Sequence, residues 1–216
     1  MSSFLLKIVA IITMTIDHAG FLFFNNNFIL RILGRIAMPI FAFQIAIGFK
    51  NTHSKEKYIL RMFLTALISE IPFMLMITSG NYIYASHNIC FTFTLALATL
   101  YLIELGKENK LFIFASIVPI LISLLIPLDY GIWAILLVLL FYFFSEKKLI
   151  YTFGMIIIAL SYYFINNSTL QVYMLLSLPF LYLYNGKKGK SLKYLFYVFY
   201  PLHMLILALI KIYFKI

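Results

Sequence analysis

The stretch "FLLKIVAIITMTIDHAGFLFFNNNFILRILGRIAMPIF", residues 4–41, decides the fold. Residues 4–24 form one apolar run of the length needed to cross a hydrocarbon core of ~30 Å. Three asparagines follow, and a second apolar run extends over residues 29–49. Yet Asp17, His18, Arg31 and Arg35 lie inside these runs or at their edge. An ionisable side chain in lipid is costly unless it is paired or wetted, so each is a functional candidate by default.

The rest of the chain repeats the pattern. Of its 216 residues, 64% are hydrophobic and 11% charged. Soluble domains average about half apolar and about a quarter charged. The runs do not alternate every second residue, which argues against a β-barrel. The composition therefore predicts an all-α polytopic transmembrane bundle, a single integral-membrane domain over residues 1–216. The run 4–24 is too long for a signal-peptide core, carries Asp17 and His18, and lacks a small-residue cleavage site; it reads as the first span. The single cysteine, Cys90, forms no internal disulfide or cysteine metal motif and reads as a packing residue.

About nine spans fit the hydrophobic pattern: 4–24, 29–49, 58–78, 88–105, 111–127, 130–145, 149–166, 169–185 and 192–214. The connections alternate in charge. KNTHSKEK (50–57), GKENK (106–110), EKK (146–148) and NGKKGKSLK (185–193) are basic, whereas NNNF (25–28), SGNYIYASH (79–87), LD (128–129) and NNS (166–168) hold no Lys or Arg. Basic loops stay cytoplasmic, so the N-terminus is expected inside and the C-terminus outside. Lys211 and Lys215 run against that rule. The net charge of +10 is thereby explained by topology rather than by nucleic acid. A nucleotide-binding role lacks a phosphate-cradling glycine motif.

Without the loop charges, a short set of polar groups remains: Asp17, His18, Arg31, Arg35, Glu70, His87, Asn88 and His203, with Gln44, Asp129 and Tyr200 marginal. Asp17 lies roughly 10 Å from the outer end of its span and Glu70 roughly 12 Å from its own. Arg31 and Arg35 share a helix face one turn apart. His87 and Asn88 open a span at the outer surface, and His203 is near the middle of the last. This core set is expected in the outer half of the bilayer, around one cavity. Neighbours on a helix point about 100° apart, so Asp17 and His18 do not form a dyad. Asp17 is expected to pair with Arg35 or another histidine, His18 to face the cavity, and Glu70 to neutralise the second arginine. Buried ion pairs also simply pin helices together. Histidine is nevertheless the natural general base near neutral pH, and two arginines on one face suit a phosphate or carboxylate. The histidines lack metal-ligand spacing, so no metal is expected.

The motifs K-x-x-A and M-x-x-DH in "LLKIVAIITMTIDHAGFLFF", and R-x-x-GR-x-x-x-P-x-F-x-F in the next span, resemble the TraX family, the F-pilin acetylation proteins. The resemblance continues through G-F-x-x-T with its basic loop, Y-x-x-R, Glu70 before I-P-F, "HNICFTFTLAL", "DYGIWAILLVLLFYFF" and the Y-P-L-H of "FYVFYPLHMLILALI". It spans nearly the whole chain in order. Two positions depart from the pattern: Met38 replaces an expected aromatic, and Glu70 stands where the family often has Gln.

The resemblance implies a multi-pass acyltransferase of the bacterial cytoplasmic membrane, with membrane lipid around it. It implies an acetyl-CoA-dependent transfer to an amine or hydroxyl acceptor: a pilin N-terminus, another peptide or a glycan. Joined to the residue reading, it implies His18 as general base or transient acetyl carrier, with Asp17 and Glu70 balancing charge. Arg31 and Arg35 then stabilise an oxyanion or an anionic donor group. His203, Asn88, His87, Asp129 and Tyr200 complete the catalytic and substrate contacts. Lys55, Lys57, Arg61, Lys187 and Lys188 are placed to attract the CoA phosphates. The rival readings are a small proton-coupled transporter, since the same residue types build proton relays, and a non-catalytic assembly factor for a pilus or surface polymer.

Overall fold

Ser2 starts the first helix, its side chain accepting the N–H of Leu5, a standard N-cap that satisfies one orphan donor. The structure, a computed structural model, describes residues 1–79, 86–190 and 194–214. Helix α1 spans Ser3–Phe23. The chain then turns on Asn25 and Asn26, both left-handed at φ 48° and 58°, a conformation asparagine tolerates better than most residues. Asn27 caps the next helix through Ile29 and Leu30. The NNN triplet is thus a turn followed by a cap.

The second apolar run is broken into α2 (Phe28–Gly34) and α3 (Ala37–Asn51). Pro39 explains the break. It has no N–H for the carbonyl four residues back, and its ring crowds that carbonyl. The carbonyl belongs to Arg35, one of the two residues between the helices. Every residue from Ala37 to Ala46 is buried, and a helix apolar on all sides belongs at the centre of a bundle. Around α3 pack α1, α5 (Ile89–Leu105), α8 (Gly131–Phe144) and the 3₁₀ segment Thr169–Ser177. Helix α4 (Lys55–Ser79) packs on α5 and on the last helix, whose range is Leu195–Phe214. Between these elements lie α6 (Leu111–Ala115), α7 (Ile117–Leu125), α9 (Lys148–Asn166) and α10 (Leu178–Tyr182); the last helix is α11.

These elements recover the nine expected segments as an all-α membrane bundle. Five are long and apolar enough to cross a membrane, with Phe28–Asn51 counted as one. The other four, Ile89–Leu105, Leu111–Leu125, Gly131–Phe144 and Thr169–Tyr182, are shorter than the full span length. Proline accounts for part of this. Pro119 splits the fifth segment at Ser116 just as Pro39 splits the second. The eighth segment recovers reach by its 3₁₀ portion, which rises about 2.0 Å per residue against about 1.5 Å in an α-helix. Outward-facing Leu60, Leu64, Leu67, Ile68 and Ile71 give α4 an exposed apolar stripe, suited to lipid rather than water.

The two ends of the bundle differ. At the basic end, Lys50 bonds Ser145 at 2.8 Å, Lys55 pairs with Glu104, and Ser3 donates its N–H to the Lys187 carbonyl at 2.8 Å. At the opposite end, His87 and Leu128 form the isolated β-bridge found among the described residues. Lys211, which ran against the charge rule, donates its ammonium to the Leu22 carbonyl at 2.8 Å. It satisfies one of the last carbonyls of α1, where a cation is favoured. Lys193, Lys215 and residues 80–85 of the expected 79–87 loop lie outside the described residues.

Candidate functional site

Gly34 lets α2 approach α1 closely enough for a charge cluster to form. A Cβ there would overlap the Asp17 carboxylate. Asp17 lies six residues before the end of α1 at Phe23, and its Oδ2 accepts from Arg35 Nη2 at 2.6 Å and from Arg31 Nη1 at 2.9 Å. One carboxylate oxygen therefore holds both guanidiniums. Asp17 and Arg35 are buried, 7% and 5% exposed, so the pairing is a requirement and not a surface decoration. Asp17 Oδ1 and Arg31 Nε have no hydrogen-bond partner among the described residues. The expected pairing of Asp17 with Arg35 holds, and Arg31 joins it.

Glu70 was expected to neutralise the second arginine. Instead its Oε1 meets His87 Nδ1 at 2.6 Å and its Oε2 accepts the Asn88 side-chain amide at 2.6 Å. The reason is position: the turn before α5 brings His87 and Asn88 onto α4, and Asp17 already serves both arginines. Asn88 also donates to the Ala66 carbonyl and accepts from Cys90 N–H, the N-cap of α5. It is wholly buried and ties α5 to α4. Neither Glu70, His87 nor Asn88 is on the cavity wall. Gln44 is elsewhere again, accepting the Ser3 hydroxyl at 2.5 Å near the basic end.

The cavity itself is about 300 Å³, and Asp17, His18, Arg31, Arg35, Asp129 and Tyr200 are among its lining residues. Apolar walls come from Met14, Phe41, Phe73 and Phe93. A mostly apolar pocket with a few convergent polar groups is the usual form of a small-molecule site. His203, 185 residues from His18 in sequence, stands behind it: His18 Nδ1 and His203 Nε2 are 2.8 Å apart, with the ring planes tilted by 6°. His203 Nδ1 in turn lies 2.9 Å from the Phe199 carbonyl.

Tyr130 is a site residue that the residue reading missed. Its hydroxyl accepts from Arg35 Nη1 at 2.7 Å, and its ring lies under the same guanidinium. It caps α8 in the left-handed region, φ 58°, which costs an ordinary L-residue about 1–2 kcal/mol. Such strain is tolerated where surrounding contacts enforce it. The available signal was the phenol adjoining Asp129 in the DYG triplet.

Asp129 reaches the cavity wall from the loop between α7 and α8. Its backbone is fixed by His87 and Thr92. Burial pushes its carboxyl up from 3.8 to about 6, against the pull of Arg35 and Arg31. A raised folded-state value means that its contribution to stability is fully present below pH 3.8 and is lost as pH rises through about 6. Asp129→Asn is expected to flatten this segment of the stability profile. Thermal unfolding in detergent between pH 4 and 8 measures it; a profile unchanged by the substitution would remove Asp129 from the titrating groups.

Lys55, Lys57, Arg61, Lys187 and Lys188 do not line the cavity. Lys55 pairs with Glu104, and Arg61 stacks over Tyr58 at 5.8 Å. The carbonyls of Lys187 and Lys188 accept the N–H groups of Ser3 and Phe4. Among the described residues, no group of three or more His, Cys, Asp or Glu is arranged to hold a metal ion.

Comparison with known proteins gives a family and one full-length relative. The family model described as "TraX protein" matches residues 2–211. The chain is 28% identical over 246 residues to "Probable fimbrial assembly protein FimC, serogroup H1" of Dichelobacter nodosus, covering 99% of this chain and 97% of that protein. It is also 56% identical over 39 residues to an uncharacterized protein of Rickettsia prowazekii (strain Madrid E), covering 18% of this chain and 16% of that one. No solved structure matches the chain.

Proposed function

Since the chain belongs to the TraX protein family, we propose that it is a membrane-embedded acetyltransferase. In this reading it moves an acetyl group from acetyl-CoA to an amine or hydroxyl acceptor in the envelope. A relative named for fimbrial assembly favours a fimbrial subunit as the acceptor. The bundle sits in the bacterial cytoplasmic membrane with its basic end toward the cytoplasm.

The observation that carries the reading is the joint geometry of one imidazole and two guanidiniums on a single cavity wall. His18 lines the cavity while His203 engages its Nδ1, which leaves Nε2 for the substrate. In that arrangement His18 Nε2 removes the proton of the attacking amine or hydroxyl. Arg31 and Arg35, fixed in advance by Asp17, face the negative charge that develops on the acyl oxygen. When bound, the thioester supplies an acyl carbon activated for attack. Asp129 and Tyr200 shape the acceptor side of the wall. Lys55, Lys57, Arg61, Lys187 and Lys188 attract the donor's phosphates at the basic end, where positive charge is concentrated.

The test is acetyl transfer by the purified full chain in proteoliposomes, with isotopically labelled acetyl-CoA and a panel of peptide amines, sugars and glycan amines. The expected result is stoichiometric release of CoA and label on one acceptor class. Folded protein that turns over none of them, yet carries a proton-driven solute flux, would establish the transporter reading instead.

A further inference from the structure

His203 does not line the cavity, and its role must be exercised through His18. The chain of hydrogen bonds running back from the cavity has a direction. A backbone carbonyl only accepts, so the 2.9 Å contact with Phe199 requires a proton on His203 Nδ1. Neither imidazole is paired with a carboxylate among the described residues, and His203 is 5% exposed between aromatic rings. An imidazolium there would be an uncompensated buried charge. His203 is therefore neutral, its Nε2 carries a lone pair, and the 2.8 Å contact needs a proton on His18 Nδ1. The nitrogen left without a proton is His18 Nε2, on the ring that lines the cavity.

We propose that His203 is a positioning residue: by accepting the Nδ1 proton of His18 and being held by the Phe199 carbonyl, it locks His18 in the tautomer whose basic nitrogen faces the substrate cavity. The second ring nitrogen of a catalytic histidine sets which nitrogen is basic, and a fixed acceptor there removes the unproductive tautomer. The proton balance is simple. The acceptor's proton goes to His18 Nε2, giving an imidazolium that keeps its Nδ1–H on His203. No proton passes to His203, and the imidazolium returns the same proton to the departing sulfur. This inference rests on the acetyltransferase reading only for its activity arm; the tautomer is a property of the resting protein.

Nitrogen-15 NMR of histidine-labelled full chain in nanodiscs tests it. The chain has four histidines, and single substitutions assign His18 and His203. The wild type is expected to show His18 with Nδ1 protonated and Nε2 bare. In His203→Phe, which cannot accept, His18 is expected to shift toward the other tautomer, with kcat down about a hundredfold and acceptor KM little changed. His203→Gln, whose amide oxygen accepts the same proton, is expected to restore the tautomer and most of the activity. If His203→Phe fails to fold, the wild-type and His203→Gln spectra decide the matter. A wild-type His18 protonated at Nε2, or a tautomer indifferent to residue 203, would overturn the proposal. Absence of acetyl transfer with the expected spectrum would overturn the proposed function and leave the tautomer assignment standing.

Discussion

Asp17→Asn is expected to be the most damaging single substitution in the membrane core. It leaves the shape of the side chain nearly intact but removes the one negative charge that holds Arg31 and Arg35. Breaking a buried ion pair by deleting one partner costs about 3–5 kcal/mol, because the surviving charge is stranded. Here two guanidiniums lose their carboxylate, and Arg35 is only 5% exposed. Its remaining side-chain acceptors are the Tyr130 hydroxyl and the Arg31 carbonyl, both neutral. The measurement is thermal or denaturant unfolding in a fixed detergent, with Arg31→Met and the double variant Asp17→Asn/Arg31→Met alongside. The double variant strands one charge fewer, so it is expected to be less damaged than the sum of the singles, a coupling of the kind that neighbouring groups show. An Asp17→Asn protein as stable as the wild type would mean that this carboxyl is not the ionised hub of the cluster. Transfer activity is expected to fall with it, since the two arginines would no longer be aimed at a common point.

The sequence made the cluster legible as a set but not as a wiring diagram. Depth could be read because loop charge gives direction and helical rise gives distance; of the residues it grouped around one cavity, Asp17, His18, Arg31 and Arg35 line it and His203 stands behind His18, whereas Glu70, His87 and Asn88 are not on its wall. The i,i+4 spacing put Arg31 and Arg35 on one face, but the expectation of one acid for each arginine, Asp17 and Glu70, fails: Asp17 serves both. That choice is made by Gly34, whose missing side chain admits Asp17, and by the turn before α5, which delivers His87 and Asn88 to Glu70. Both are tertiary facts. The span pattern was recoverable because apolar length is a property of the chain itself. The break at Arg35–Ile36 was also within reach, because Pro39 acts on the carbonyl four residues back. Tyr130 was harder: among so many tyrosines its one local signal is its place beside Asp129, and only the left-handed backbone at φ 58° and the bond to Arg35 single it out. The His18–His203 contact joins the first and last helices, and no periodicity reports a pairing across the whole chain.

His18→Ala is expected to lower acetyl transfer by about 10²–10⁴-fold, the usual contribution of a positioned general base. The loss should fall on kcat, because the acceptor and donor would still meet Arg31, Arg35 and the apolar walls. Two structural consequences must be separated from the chemical one. Removing the imidazole leaves His203 Nε2 facing an empty space, and a buried polar atom without a partner costs about 1–3 kcal/mol. The cavity also gains volume on the side of α1. His18→Gln addresses both: its amide can donate to His203 Nε2 and fills much of the space, but it has no basic nitrogen. If the base reading holds, His18→Gln keeps near wild-type unfolding and is as inactive as alanine, while added imidazole restores part of the rate to alanine alone. Retained activity in a folded His18→Gln protein would move the base elsewhere, and Asp129 is then the other titratable group on the same wall whose carboxyl, raised to about 6, ionises near neutral pH. The two cases differ in their pH profiles. An imidazole base gives a rate that climbs with deprotonation of a group absent from the glutamine variant, whereas an Asp129 base leaves that limb unchanged in His18→Gln and abolishes it in Asp129→Asn.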